Sequence, residues 1–178
     1  MVNLNGNTIH LQNAKLQIQA IVAPSASSNG ALHKDEAHWQ HWDGSQPLPP
    51  DAVQAGRDTN GVLIYVGQVS HEGNLLPAKV FPNARCALFA YDGEELRTIS
   101  CQLLCCRNVS WVDALDGSIP NNAIPGGRTA SGEVLYIGRT SFCGSVTPGK
   151  VVPSERKLYI PYGSCEVATK HYELLVLK

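Results

Sequence analysis

Two lysines, Lys79 and Lys150, stand 71 positions apart in closely similar surroundings. Each follows Pro-Ala or Pro-Gly and precedes a valine. This spacing predicts that each lysine lies at a corner where a loop enters a strand. There its ammonium group, with three hydrogen-bond donors, would be aimed at one place.

Acceptor groups recur around these lysines at the same offset. Asp58 in the first copy corresponds to Thr129 in the second, and a glutamate is kept in both, as Glu95 and Glu166. An ammonium beside a carboxylate suits a neutral polyol, since sugar hydroxyls both donate and accept, and each bond to a charged group contributes about 1.5–3 kcal/mol. The alternative is an ordinary surface salt bridge between Asp58 and Lys79, worth about 0–1 kcal/mol.

The same offset relates the whole of residues 45–107 to residues 116–178 without a gap. A shared period of this length indicates two copies of one folding unit. Short apolar runs separated by Gly, Pro and Asn predict four or five strands per copy, the clearest at 62–69 and 133–140. We therefore expect an all-β fold, with two antiparallel β repeats packed face to face about a pseudo-two-fold axis.

The predicted organisation has three parts: an N-terminal extension at 1–40, repeat 1 at 41–107 and repeat 2 at 108–178. Within the extension, alternating apolar and polar residues predict a strand at about 15–22. Residues 33–41 are expected to form a short helical turn.

Composition excludes several classes of function. The 14 basic and 15 acidic residues nearly balance, which argues against nucleic acid or an anionic membrane as a partner held by bulk charge. The sequence shows neither a signal peptide nor an apolar run of about 20 residues. These observations favour a cytoplasmic protein with six reduced cysteines, with unconventional export or cell-surface association as the alternative.

Three motifs resemble functional sites but lack their context. The run Gly144–Lys150 fits the spacing of a nucleotide-binding loop, yet Val151 replaces the Ser or Thr that would hold magnesium. Asp58-Thr59-Asn60-Gly61 resembles part of a calcium loop, but Val69 stands where its glutamate belongs. The histidines at 33, 38 and 41 match no tetrahedral metal pattern. We therefore expect no cofactor and no metal.

The second copy carries a longer pattern almost intact. It comprises Asp116–Ala123, Leu135–Arg139, Pro148–Val151, Leu158–Gly163 and Tyr172–Val176. This pattern resembles the DM9 repeat, and the first copy follows it more loosely. The resemblance covers about residues 41–178.

The resemblance implies a lectin. Tandem DM9 proteins are similar to a mannose-binding, homodimeric lectin of bivalve molluscs that acts in innate recognition. In that family an Asp and the Lys of Pro-Gly-Lys hold the sugar, which implies Asp58 and Lys79 in repeat 1. In repeat 2 the implied residues are Lys150 and Thr129, with Arg139 as a further candidate. Because Thr129 lacks the charge of Asp58, the resemblance implies a stronger first site and an impaired second one.

Two other functions compete with the lectin. A non-sugar interaction module, intracellular or associated with vesicles, fits the missing export signal. An enzyme is the least favoured, because the chain offers neither a cofactor loop nor a matched acid/base pair.

Overall fold

The computed structural model describes residues 36–114 and 117–178. Within them the regular structure is β-strand, apart from two single 3-10 turns at Pro82–Ala84 and Pro153–Glu155. The strands of the first copy are β1 (His38–Trp42), β2 (Gln54–Arg57), β3 (Leu63–His71), β4 (Asn74–Phe81), β5 (Cys86–Tyr91), β6 (Glu94–Thr98) and β7 (Cys101–Cys105). Those of the second are β8 (Val109–Asp113), β9 (Pro125–Arg128), β10 (Val134–Phe142), β11 (Ser145–Val152), β12 (Lys157–Tyr162), β13 (Cys165–Thr169) and β14 (Glu173–Leu177). The all-β prediction is confirmed.

The strand order has two-fold symmetry. One hydrogen-bonded sheet runs β1-β7-β3-β2-β11-β12-β13-β6-β5-β4-β9-β10-β14-β8, with further pairings of β3 with β4 and β10 with β11. Each strand of the first copy has its counterpart seven strands later, so the order reads the same from both ends. The pseudo-two-fold axis passes between β13 and β6, where Cys165 pairs with Glu94.

The two copies interleave, so the expected face-to-face packing is wrong. Strand β2 of the first copy pairs with β11 of the second, and β9 of the second pairs with β4 of the first. Glycines permit the close approach of the strands in these pairings. A Cβ on Gly56 would collide with the carbonyl of Val146, and one on Gly127 with the carbonyl of Leu75.

The buried core is shared in the same way. One cluster packs Val80 and Phe89 of the first copy with Leu135 of the second. Another packs Val66 of the first copy with Ile137 of the second. Burial of apolar surface therefore stabilises both copies together.

Tight turns join the long central strands. Glu72-Gly73 connects β3 to β4, and Cys143-Gly144 connects β10 to β11. All four residues have positive φ, between 46° and 80°. Two-residue hairpin turns of this kind match the twist of the flanking strands, and they favour glycine at the second position.

The two lysines lie within strands, so the predicted loop-to-strand corners are wrong. The prolines at 77 and 148 do not break the strands, since β4 runs from Asn74 to Phe81 and β11 from Ser145 to Val152. On its outer side β4 pairs with β9 at Leu75 and with β5 from Lys79 onward. Pro77 thus falls where the neighbouring strand changes, and there a missing N–H breaks no ladder bond.

Other predictions fare differently. The apolar runs at 86–91 and 157–162 also predict strands, and β5 and β12 have these bounds. The helical turn at 33–41 is wrong for its described part, because His38–Trp42 pairs with β7 as an extended strand. The strand predicted at 15–22 lies outside the described residues.

Candidate functional site

Lys79 is almost fully buried on β4, with 6% of its surface exposed. Its Nζ donates to the carbonyl oxygen of Pro161 at 2.5 Å and lies 3.7 Å from Glu95 Oε1. Burial lowers the pKa of Lys79, and attraction to Glu95 and Asp58 opposes that shift. Glu95 Oε2 is also buried and has no hydrogen-bond partner within the described residues.

Lys150 occupies the equivalent place on β11. Its Nζ donates to the carbonyl oxygen of Ala90 at 2.9 Å and lies 2.7 Å from Glu166 Oε1. Its side chain retains 13% exposure. The ion pair is therefore shorter than the one at Lys79, and the Lys150 side chain is slightly more exposed than that of Lys79, at 7%.

Each lysine takes its carbonyl partner from the other copy. The ammonium of Lys79 reaches β12, and that of Lys150 reaches β5. Aromatic rings complete both sites: Lys79 Nζ lies 5.5 Å from the Tyr162 ring centre, and Lys150 Nζ lies 5.8 Å from that of Tyr91. At these distances the ring faces stabilise the cation. Both sites thus depend on the interleaved fold.

An open cleft of about 280 Å³ lies at Lys150. Ligand pockets commonly measure about 300–1,000 Å³, so this volume fits a small ligand. The polar and aromatic residues of its lining are Thr129, Glu133, Lys150, Glu155, Tyr159 and Glu166 of the second copy and Asn74 and Tyr91 of the first. Apolar side chains of Leu76, Leu135 and Val152 complete the lining. We call this set the Lys150 cleft.

Polar groups in the Lys150 cleft are held in place by hydrogen bonds. The Tyr159 hydroxyl donates to Glu155 Oε2, and this bond, with burial and the Glu155 charge, raises the pKa of Tyr159 to about 12. Glu133 Oε1 accepts from the backbone N–H of Ser154 at 2.9 Å. Thr129 Oγ1 accepts from the Glu133 N–H at 3.0 Å. The cleft therefore presents oriented acceptors beside one cation.

The same positions in the first copy are apolar. Glu133, Glu155 and Tyr159 correspond at the constant offset to Val62, Ala84 and Leu88. The surroundings of Lys79 are thus poorer in hydrogen-bonding groups than those of Lys150. The pair Asp58 and Thr129 does not reveal this difference, although it is visible at the other aligned positions of the two copies.

The structure brings some of the predicted site residues together and separates others. Thr129 and Lys150 share the cleft. Asp58 acts on Lys79 electrostatically, but the ion pair of Lys79 is with Glu95, and the Asp58 carboxylate accepts from the Thr59 N–H at 2.7 Å. The alternative of a surface salt bridge between Asp58 and Lys79 is therefore wrong, because Lys79 is buried.

Arg139 serves a different part of the molecule. Its Nε donates to Glu173 Oε2 at 2.6 Å, and its Nη1 donates to the carbonyl oxygen of Ala55 at 2.9 Å. Its guanidinium lies 4.4 Å from the ring centre of Trp111. These contacts tie β10 to β14 and to the first copy, and they place Arg139 outside the lining of the Lys150 cleft.

The motifs set aside in the sequence fall on ordinary β structure. The run Gly144–Lys150 spans a hairpin turn and most of β11, and only the short 3-10 turn Pro153–Glu155, not an α-helix, follows that strand. Asp58-Thr59-Asn60-Gly61 forms the turn between β2 and β3, where the Gly61 N–H donates to the Asp58 carbonyl at 2.8 Å. Across residues 36–114 and 117–178, no group of three or more His, Cys, Asp or Glu side chains is arranged to hold a metal.

Two further observations concern cysteines and membranes. No disulfide joins the six cysteines, all of which lie in described segments. In the part of the chain that the structure describes, no helix has the length and apolar character that a bilayer span requires.

Family models identify the repeats. The model of the DM9 repeat matches residues 31–98 and residues 58–169. The chain belongs to the DM9 repeat family. Its tandem organisation, expected from the offset of 71, agrees with these two matches.

Two known proteins resemble this chain in sequence or in fold over part of their own length. Natterin-3 of Thalassophryne nattereri is 26% identical over 160 residues, which make up 88% of this chain and 39% of Natterin-3. The crystal structure of the nematode sperm cell motility protein MFP2B has a TM-score of 0.61 at 14% identity, covering 86% of this chain and 50% of that one. The chain thus spans half or less of either protein, and the likeness to MFP2B concerns the fold alone.

Proposed function

We propose that the protein is a lectin that binds mannose-type glycans through the Lys150 cleft. The observation that carries the proposal is the Lys150 side chain, which lies beside Glu166 and lines an open cleft with oriented acceptors and two tyrosines. The preference for mannose is the expectation that follows from the resemblance to the DM9 lectins. Binding, rather than catalysis, is the proposed activity.

The chemistry of the cleft suits a sugar. Adjacent hydroxyls of one ring can accept from Lys150 and donate to Glu133 or Glu155, each of which has one carboxylate oxygen without a hydrogen bond within the described residues. Tyrosine rings add apolar faces for the carbon skeleton while their hydroxyls remain hydrogen-bonded. A polyol therefore meets donors, acceptors and apolar surface within one small volume.

A single cleft of this size should bind a monosaccharide weakly, because few atoms are engaged. Useful affinity for a glycan surface would then come from several linked sites. We accordingly propose a homodimer, with innate recognition of glycans as its role. The site at Lys79 is a second, more buried candidate in each chain.

The direct test is an NMR titration of the isotopically labelled protein with mannose. Backbone amide shifts should change around Lys150 and Glu166, with dissociation in the millimolar range expected for so small a ligand. The double variant Lys150→Met/Glu166→Gln should lose these changes. Its matched control, Lys79→Met/Glu95→Gln, should keep them.

One result would count against the lectin itself, and another against its placement at Lys150. One is a wild-type protein whose amide shifts do not respond to mannose or to any glycan of an array. The other is a response that survives in the Lys150→Met/Glu166→Gln variant, which would move the site elsewhere.

The second candidate is a protein-interaction module, and the open ends of the sheet favour it. Within the described residues β1 pairs only with β7, and β8 pairs only with β14. Exposed strand edges are templates for pairing with another chain. A protein partner captured equally well in the presence of excess mannose would support this candidate.

A further inference from the structure

The Lys150 cleft carries more negative than positive charge. Glu166 and Lys150 neutralise each other across 2.7 Å. Glu133 and Glu155 also line the cleft, and neither forms an ion pair within the described residues. Two carboxylates are thus left without a cationic partner in a space that already suits a polyol.

These two carboxylates are additions to the repeat and not requirements of its fold. The equivalent positions of the first copy are Val62 and Ala84, in a repeat that forms the same strands. The paired lysine and glutamate, by contrast, occur in both copies. Glu133 and Glu155 therefore distinguish the second site from the first.

Both carboxylates are positioned by a bond to one of their oxygens. Glu133 accepts from the Ser154 N–H through Oε1, and Glu155 accepts from the Tyr159 hydroxyl through Oε2. The other oxygen of each carboxylate remains available to accept from a ligand. A donor that carries positive charge would form the stronger bond there.

We propose that the Lys150 cleft selects sugars that bear a protonated amine, such as free hexosamines, over neutral hexoses, and that Glu133 and Glu155 determine this selectivity. Sugars with a carboxylate are disfavoured by the same charge. This inference rests on the proposed lectin function and specifies its ligand class.

The test compares mannosamine, N-acetylmannosamine and mannose, which share one ring and differ in charge at a single position. Titrations are followed by the amide shifts around Lys150 at about pH 6, well below the ordinary pKa of about 8 for such an amine. Mannosamine should bind about fivefold to tenfold more tightly than mannose, while N-acetylmannosamine should lack this advantage. Added salt should reduce the preference.

The variant Glu133→Gln/Glu155→Gln should bring the affinity ratio of mannosamine to mannose close to one. The control Glu36→Gln/Asp113→Asn removes two exposed carboxylates that are not among the cleft residues and should keep the wild-type ratio. If the control lowers the ratio as much, the effect comes from net charge and the inference is overturned.

The outcomes separate the two proposals. Mannose binding at Lys150 without a preference for mannosamine overturns the inference and leaves the lectin intact. A preference for mannosamine that persists unchanged in Glu133→Gln/Glu155→Gln also overturns the inference, because the two carboxylates would then not determine it. Failure of all three sugars to bind overturns both.

Discussion

The ion pair of Lys150 with Glu166 joins stability to binding at the residue scale. Lys150→Met would leave Glu166, whose side chain is 11% exposed, as a largely buried charge without its partner. We expect a loss of about 3 kcal/mol in the free energy of unfolding, measured by urea denaturation. Lys150→Met/Glu166→Gln should recover most of this loss, because no charge is then left unpaired.

The equivalent pair in the first copy is the control for that prediction. Lys79 lies 3.7 Å from Glu95, a longer separation than in the second copy. The benefit of adding Glu95→Gln to Lys79→Met should therefore be smaller. A Lys150→Met protein as stable as wild type would show that the pair contributes little to folding.

Which of the two lysine sites binds a ligand more tightly is still a prediction. The substitution of Asp58 by Thr129 removes one charge from the second site. Glu133 and Glu155 add two, and their positions became relevant only when they were found lining the cleft. The expectation of an impaired second site rested on one position of a set that the fold assembles.

At the scale of strands, the pairings of β9 with β4 and of β2 with β11 depend on glycine. A Cβ at Gly127 would lie 2.7 Å from the carbonyl carbon of Leu75, and the backbone there is fixed by strand pairing. We expect Gly127→Ala to lower the free energy of unfolding by about 1–3 kcal/mol. The shift of the urea midpoint at unchanged slope measures it.

Gly61 provides the contrast for this measurement. It has a φ of +76° in a turn, and nothing lies within 4 Å of the position its Cβ would take. Gly61→Asn, a residue that adopts this conformation more readily than most, should lower the unfolding free energy by about 1 kcal/mol or less. A Gly127→Ala protein no less stable than Gly61→Asn would contradict the close backbone contact between β9 and β4.

The element scale shows which signals in the sequence were sufficient. The apolar runs at β5 and β12 define those strands because each is bounded by turn residues. The prolines at 77 and 148 do not end their strands, because a proline interrupts a strand only where its N–H would donate a ladder hydrogen bond. The point at which β4 changes neighbours is set by a distant strand, so no local pattern could reveal it.

For the whole molecule, interleaving predicts that neither repeat folds alone. Strands of each copy pair with strands of the other, and each copy provides the carbonyl oxygen that accepts from the other's lysine. The buried clusters also contain residues of both copies. We expect fragments 1–107 and 108–178 to lack stable β structure when separate and to regain it when mixed. Circular dichroism and urea denaturation at several protein concentrations provide the measurement.

The fragment experiment has a clear adverse outcome. A separate fragment that unfolds cooperatively as a monomer would show that one copy has a sufficient core of its own. Assembly of one fragment with itself would agree with interleaving, because the two copies have equivalent strands.

The sequence by itself determined the all-β class, the duplication at an offset of 71 and the polar residues that recur with it. These are local patterns, or comparisons of one segment with another, and side-chain periodicity and turn chemistry are enough to reveal them. Only the tertiary structure decided that the copies exchange strands, that Lys79 and Lys150 reach carbonyls of the opposite copy, and that Glu133 and Glu155 meet Lys150 in one cleft. Those contacts join residues distant along the chain, and they follow from how strands of the two copies pair with each other.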